Sequence, residues 1–118
     1  MTTALLGKWG EAIVAEAYRK KRYKIAAVNY RTRFGEIDVI AENKQSIVFV
    51  EVKLRKNSKF GEASEFVTYS KQKKLRMTAE IWLSGNETKK QPRFDVAEVY
   101  APNGISEDYT INIIENAF

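Results

Sequence analysis

Asp38, Glu51 and Lys53 are residue types that do chemistry, set in two runs that otherwise read as buried strands. These are Gly35-Glu36-Ile37-Asp38-Val39-Ile40-Ala41-Glu42 and Ser46-Ile47-Val48-Phe49-Val50-Glu51-Val52-Lys53-Leu54. Alternate strand residues share a face. The first run therefore sets Glu36, Asp38 and Ile40 against Ile37, Val39 and Ala41. The second sets Ile47, Phe49, Glu51 and Lys53 against Val48, Val50, Val52 and Leu54. The polar break Asn43-Lys44-Gln45 predicts a hairpin, and pairing about it places Asp38 opposite Glu51. Two carboxylates then meet beside one lysine on strands built for burial, which is costly without compensation. A divalent cation is one compensation, and an all-oxygen ligand set suits Mg²⁺ or Mn²⁺ better than zinc. On spacing alone an alternative stands: both acids half-exposed, with Lys53 a solvated partner.

Composition narrows the chemistry further. The 118 residues contain no cysteine and no histidine. Disulfides, iron–sulfur clusters, thiolate zinc sites, cysteine nucleophiles, Ser–His–Asp triads and imidazole ligands are all excluded. The length predicts one domain over 1–118, with room for one core and one site. The net charge of +5 is compatible with a polyanionic partner. No apolar run reaches the roughly 20 residues that span a bilayer. The first residues lack the basic and apolar regions of a signal peptide, so a cytoplasmic protein without membrane contact is predicted.

The elements that must position the acids follow from periodicity. Residues 4–22 predict a helix, with Leu6, Trp9, Gly10, Ile13 and Ala17 on one stripe and a basic end at Arg19, Lys20, Lys21, Arg22 and Lys24. Helix-terminal cations account for that end in a bland way. Strands are predicted at 24–31, 35–42 and 46–54, a polar loop at 55–66, and a second helix at 67–84 with Lys71, Leu75, Thr78, Ala79 and Trp82 on one face. Strands at 93–100 and 109–114 complete an αβββαββ order. Such an order predicts an α/β fold, a mixed sheet flanked by helices, with the two acid-bearing strands central.

Further residues surround the proposed site. Glu11 lies at the edge of the first helix's stripe, where a solvated charge is the simpler reading. Lys71 lies one turn before Leu75, as a site residue or as a snorkelling lysine. Arg55, Lys56 and Lys59 follow the third strand, and Lys73, Lys74 and Arg76 lie along the second helix. Phe60-Gly61 is either a loop anchor or a place where a phosphate backbone comes close.

Asp38 with Glu51-Val52-Lys53 resembles the PD-(D/E)xK nuclease core, with Ile37 where that motif has proline. The chain more specifically resembles the YraN family of small bacterial proteins, from about Gly7 to Phe118. The resemblance rests on Gly7, Gly10-Glu11, Asn29, Arg31, Gly35 to Ala41, Phe49 to Lys53, Arg55, Phe60-Gly61, Val67, Lys71, Lys74-Leu75, Ala79, Arg93 to Val96 and Ala117-Phe118. It implies a restriction-endonuclease-like fold. It also implies kinship with archaeal-type Holliday-junction resolvases, whose helix glutamate, strand aspartate and ExK element match Glu11, Asp38, Glu51 and Lys53. Those resolvases act as dimers, which leaves a homodimer open here.

The expectation is a Mg²⁺- or Mn²⁺-dependent nuclease that hydrolyses phosphodiester bonds in DNA, in preference to RNA. Branched or structured DNA in repair or recombination is the substrate class. Asp38, Glu51 and the Val52 carbonyl hold the metal, with Glu11 completing the shell directly or through a water. Lys53 orients the attacking water or neutralises developing charge. Arg55, Lys56, Lys59, Lys71 and Lys74 contact phosphates. The alternative is a non-catalytic nucleic-acid-binding protein that keeps the fold, and a third reading is a protein-interaction module marked by an exposed apolar patch.

Overall fold

The computed structural model describes residues 3–56 and 67–118. Lys59 and Phe60-Gly61 lie outside them. The chain runs α1 (Thr3–Lys20), β1 (Lys24–Thr32), β2 (Gly35–Glu42), β3 (Ser46–Arg55), α2 (Tyr69–Gly85), β4 (Gln91–Tyr100) and β5 (Thr110–Ile114). One sheet has the strand order β1-β2-β3-β4-β5. β3 and β4 are parallel and the other neighbours antiparallel. α2 lies in the crossover that a parallel pair requires. This is the αβββαββ, restriction-endonuclease-like arrangement predicted, a mixed sheet flanked by helices with β2 and β3 inside it.

Each helix covers its own apolar core. On the α1 side Val14, Ala15 and Tyr18 pack with Val39, Ala41, Val48, Val50, Ala97 and Val99. The predicted stripe is thus displaced around the helix, since Leu6, Trp9, Ile13 and Ala17 are only partly covered. Tyr18 explains the displacement: its hydroxyl donates to Asp95 Oδ2 at 2.7 Å and draws the ring inward. Gly10 helps, because a Cβ there would lie 3.2 Å from the Leu54 side chain. α1 also stops at Lys20, short of the predicted 22. Arg22 turns left-handed with φ 70°, and the amides of Lys21 and Tyr23 both close on the Tyr18 carbonyl at 3.0 Å.

On the α2 side Ile37, Ile40, Ile47, Phe49, Leu75, Ala79, Phe94 and Val96 form the second core. Thr68 caps α2 by accepting from the Lys71 amide at 3.2 Å. Phe118 stacks on Phe94 with centroids 5.2 Å apart, so the end of the chain closes this core.

The predicted faces of β2 need correction. Ile37 packs with Ile40 in the α2-side core, whereas Val39 and Ala41 pack on the α1 side. Strict alternation would put Ile37 with Val39. On β1, Val28 aligns with Val39 and Tyr30 with Ile37, and Asn29 between them is left-handed, with φ 57°. The register is the same on both sides of Asn29, and the bulge of this strand pair lies between Ile25 and Ala27; the change of face on β2 falls at Asp38.

Asp95 anchors the α1 side from within the sheet. It is fully buried and accepts from Tyr18, from Arg93 Nε and Nη2 at 2.9 and 3.0 Å, and from the Asn116 amide at 3.0 Å. Removing one partner of a buried, hydrogen-bonded ion pair leaves the other uncompensated. Asp95→Ala is expected to cost about 3–5 kcal/mol of stability, read by urea denaturation. A loss below about 1 kcal/mol would contradict this role for the network.

Candidate functional site

The β2–β3 ladder runs from Glu42 opposite Ile47 to Val39 opposite Val50 and ends there. At the next step the Asp38 side chain takes over: its Oδ2 accepts from the Val52 amide at 2.7 Å. The two strands fork at this point, and the candidate residues gather around the fork. A strand residue directs its N–H and C=O toward the same neighbour, so the Val52 carbonyl also faces the fork.

On the α1 side, Glu11, Glu36 and Asp38 each place a carboxylate oxygen within 4.8 Å of the other two. Glu36 was not among the predicted site residues; its i, i+2 spacing from Asp38 was the available signal. β1 holds it in place. Arg31 Nε donates to Glu36 Oε2 at 3.1 Å. The Asn29 amide, turned so that its nitrogen donates to Glu36, accepts from Arg31 Nη2 at 3.2 Å.

On the α2 side Glu51 is 7% exposed. Its Oε1 lies 2.5 Å from Lys71 Nζ and 3.6 Å from Lys53 Nζ. Asp38 and Glu51 therefore meet across a fork. They do not meet face to face on a ladder, and each carboxylate has different company.

Electrostatics follows from this crowding. Burial, then the Glu51 charge, push the Asp38 carboxyl up to about 7, against the opposing effect of the Val52 amide. Glu11 is raised by burial and then by Glu36, with Arg31 and Lys8 opposing. Burial lowers Lys53, and the neighbouring Lys71 ammonium lowers it further. Burial also pulls Lys71 down, but its bond to Glu51 and the Glu51 charge outweigh that, and its net shift is upward.

The predicted phosphate-contacting residues divide. Lys71 lies in the site itself. Lys74 is exposed on α2, and a Cβ on Gly35 would lie 3.3 Å from Thr78 Oγ1, so the missing side chain lets β2 approach α2 here. Lys56 is exposed just beyond β3. Arg55 is half-buried, with its Nε and Nη2 shielded from solvent. Lys73 lies over the Tyr69 ring. Arg76 lies over Phe94 and Phe118 at 4.9 and 5.6 Å, so the expected concentration of Lys73, Lys74 and Arg76 around the site is broken.

The oxygens of Asp38, Glu11 and Glu36, with the Val52 carbonyl, fit a hard divalent cation. Three acids crowded to within 4.8 Å, one of them raised to about 7, form the kind of arrangement that a cation relieves.

A mixed sheet with one helix on each face, forked beside an aspartate and an E-x-K element, defines an α/β protein of αβββαββ order. Its residues 10–99 match the model of "Uncharacterised protein family UPF0102". The chain belongs to this family, the UPF0102 or YraN family. It is 44% identical over 114 residues to a UPF0102 protein of Caldicellulosiruptor saccharolyticus, covering 96% of each chain. A UPF0102 protein of Caldanaerobacter subterraneus subsp. tengcongensis is 44% identical over 115 residues, covering 96% of this chain and 93% of the relative. One of Caldicellulosiruptor bescii is 39% identical over the full length of both chains. Among the described residues, no helix is long and apolar enough to cross a membrane.

Proposed function

We propose that this protein is a Mg²⁺- or Mn²⁺-dependent nuclease that hydrolyses phosphodiester bonds in DNA, with branched or structured DNA of repair and recombination as its substrate class. The observation that carries the reading is the fork. Asp38 is bound to the amide of Val52, within the Glu51-Val52-Lys53 element, and Glu51 sits between Lys53 and Lys71. Asp38, Glu51, Glu11 and the Val52 carbonyl would hold the cation, and Glu36 joins them. A bound cation supplies charge stabilisation at the phosphate and acidifies a water.

The chain's own groups do the rest. Lys53, with its proton affinity lowered, holds or passes a proton near the attacking water and meets charge developing on the phosphate. Lys71 holds the scissile or adjacent phosphate once Glu51 turns to the cation. Arg31 and Asn29 keep Glu36 aimed at Asp38.

Thermal melting tests the metal part. A ligand that binds only the folded state stabilises by RT ln(1 + [L]/Kd), about 2.7 kcal/mol at a hundredfold excess over Kd. Mn²⁺ is expected to raise the Tm of the wild type and not that of Asp38→Asn; an equal rise in both would contradict the site.

One observation favours the second reading, a nucleic-acid-binding protein without catalysis. Glu51 is already neutralised by Lys71 at 2.5 Å. That reading predicts no Mn²⁺ stabilisation.

A further inference from the structure

The basic run at the end of α1 is only partly explained by the helix. Arg19 and Lys20 lie in its last turn, and Arg19 pairs with Glu16 at 3.4 Å. Beyond them is a groove of about 680 Å³ whose cations come from four separate elements. Lys21 and Arg22 follow α1, Lys24 opens β1, Lys44 sits on the β2–β3 turn, and Lys90 precedes β4. Capping of one helix cannot account for the last three. Among the described residues the lining holds one acid, Glu42, which lies 3.5 Å from Lys90, so the groove keeps a strong positive excess.

The groove is also held in shape. The Asn43 side chain accepts from the amides of Gln45 and Ser46 at 2.9 and 2.8 Å, and the Gln91 amide donates to the Gln45 carbonyl at 2.9 Å. Both turns that carry Lys44 and Lys90 are therefore tied together. Arg22 stands in a left-handed position where glycine is the usual residue, and so places a cation at some conformational cost.

We infer that this groove is a second binding site for the phosphate backbone of duplex DNA, at the opposite end of the sheet from the acid site. A lining of five cations from separate elements suits the closely spaced phosphates of a duplex. A lipid surface is disfavoured, because among the described residues none of the exposed large hydrophobics lines the groove. Five residue steps along β2 and into its turn separate Asp38 from Asn43, about 16 Å of strand. That matches about five base-pair steps of B-form duplex at 3.4 Å each. The groove would grip an arm of the DNA while the fork acts on a phosphate, and in this the inference deepens the nuclease reading and rests on it.

Binding is measured in EDTA, so cleavage does not enter, with a labelled duplex of about 30 base pairs over a salt series. The proteins are the wild type, the triple variant Lys21→Ala, Lys24→Ala, Lys44→Ala, the single variant Arg22→Gly, and Lys74→Ala beside the fork. The triple variant is expected to lose at least tenfold in affinity and to lower the salt slope by about 0.9 for each cation removed. Arg22→Gly relieves the left-handed backbone, so its Tm holds or rises while affinity falls, which separates binding from folding. Unchanged affinity and slope in both groove variants, with Lys74→Ala weakened, would overturn the groove and leave the fork reading standing. Failure of the wild type to bind the duplex, with groove-dependent binding to phosphatidylglycerol vesicles, would overturn it in favour of a lipid partner. The nuclease reading is decided separately, by cleavage.

Discussion

Glu51→Gln and Lys53→Ala are both expected to lose cleavage by about 10²–10³, while differing in metal binding. Glutamine keeps the shape of Glu51 and an acceptor for Lys71 but removes the charge that a cation needs. Mn²⁺ affinity should fall with the rate, and DNA binding should hold or improve, because a negative charge near phosphate has gone. Lys53→Ala removes a cation that lies 3.6 Å from Glu51 but leaves the 2.5 Å Lys71 contact and the acids in place. Metal binding should stay close to wild type and DNA binding should weaken only slightly. Calorimetric titration with Mn²⁺ and a single-turnover cleavage assay separate the two. Full activity in either variant would show the assigned mechanism to be wrong.

The second large effect concerns pH and Asp38. Its carboxyl is raised from an ordinary 3.8 to about 7, first by burial and then by Glu51. The folded state therefore holds a proton that the unfolded chain releases. The stability that this gives is complete below about pH 4 and is lost as pH rises through about 7. Metal-free wild type should melt at progressively lower temperature over that window and then level off. Asp38→Asn does not titrate and still accepts from the Val52 amide. It should show a flatter profile and a higher Tm than wild type at pH 8. Cation binding has the opposite demand, since it needs the ionised form. Mn²⁺ affinity should fall about tenfold per pH unit below about 7, with release of one proton per ion. Calorimetry in buffers of different ionisation enthalpy counts that proton. A pH-independent Mn²⁺ affinity between 5 and 8 would remove Asp38 from the ligand set.

What was legible in the sequence was local. Apolar residues on both sides of β3 marked an interior strand, and Asn43-Lys44-Gln45 marked the turn of the β2–β3 hairpin. Leu75, Thr78 and Ala79 marked the buried face of α2. The rest needed relations between elements. β2 changes face at Asp38, opposite a left-handed Asn29 on β1, and no periodicity within β2 encodes that. Glu36 joins Asp38 because Arg31 and Asn29 pull it there. The α1 stripe is rotated because Tyr18 answers Asp95, 77 positions away. Arg76 resembled its neighbours Lys73 and Lys74 in composition, yet it stacks on Phe94 and Phe118. Lys90 joins Lys21 and Lys44 only when β4 lies beside β3. Residue type announced the chemistry, and tertiary pairing decided which residues share it.

The fork at Asp38, Glu51 and Lys53 is expected to hydrolyse DNA with the help of a divalent cation. The most direct test incubates the wild type with labelled Holliday junctions, flaps, duplex and single strands in Mg²⁺, in Mn²⁺ and in EDTA. Cleavage is expected in Mn²⁺ or Mg²⁺, abolished by EDTA and fastest on a branched substrate. DNA binding without cleavage of any of these substrates in either metal would contradict it.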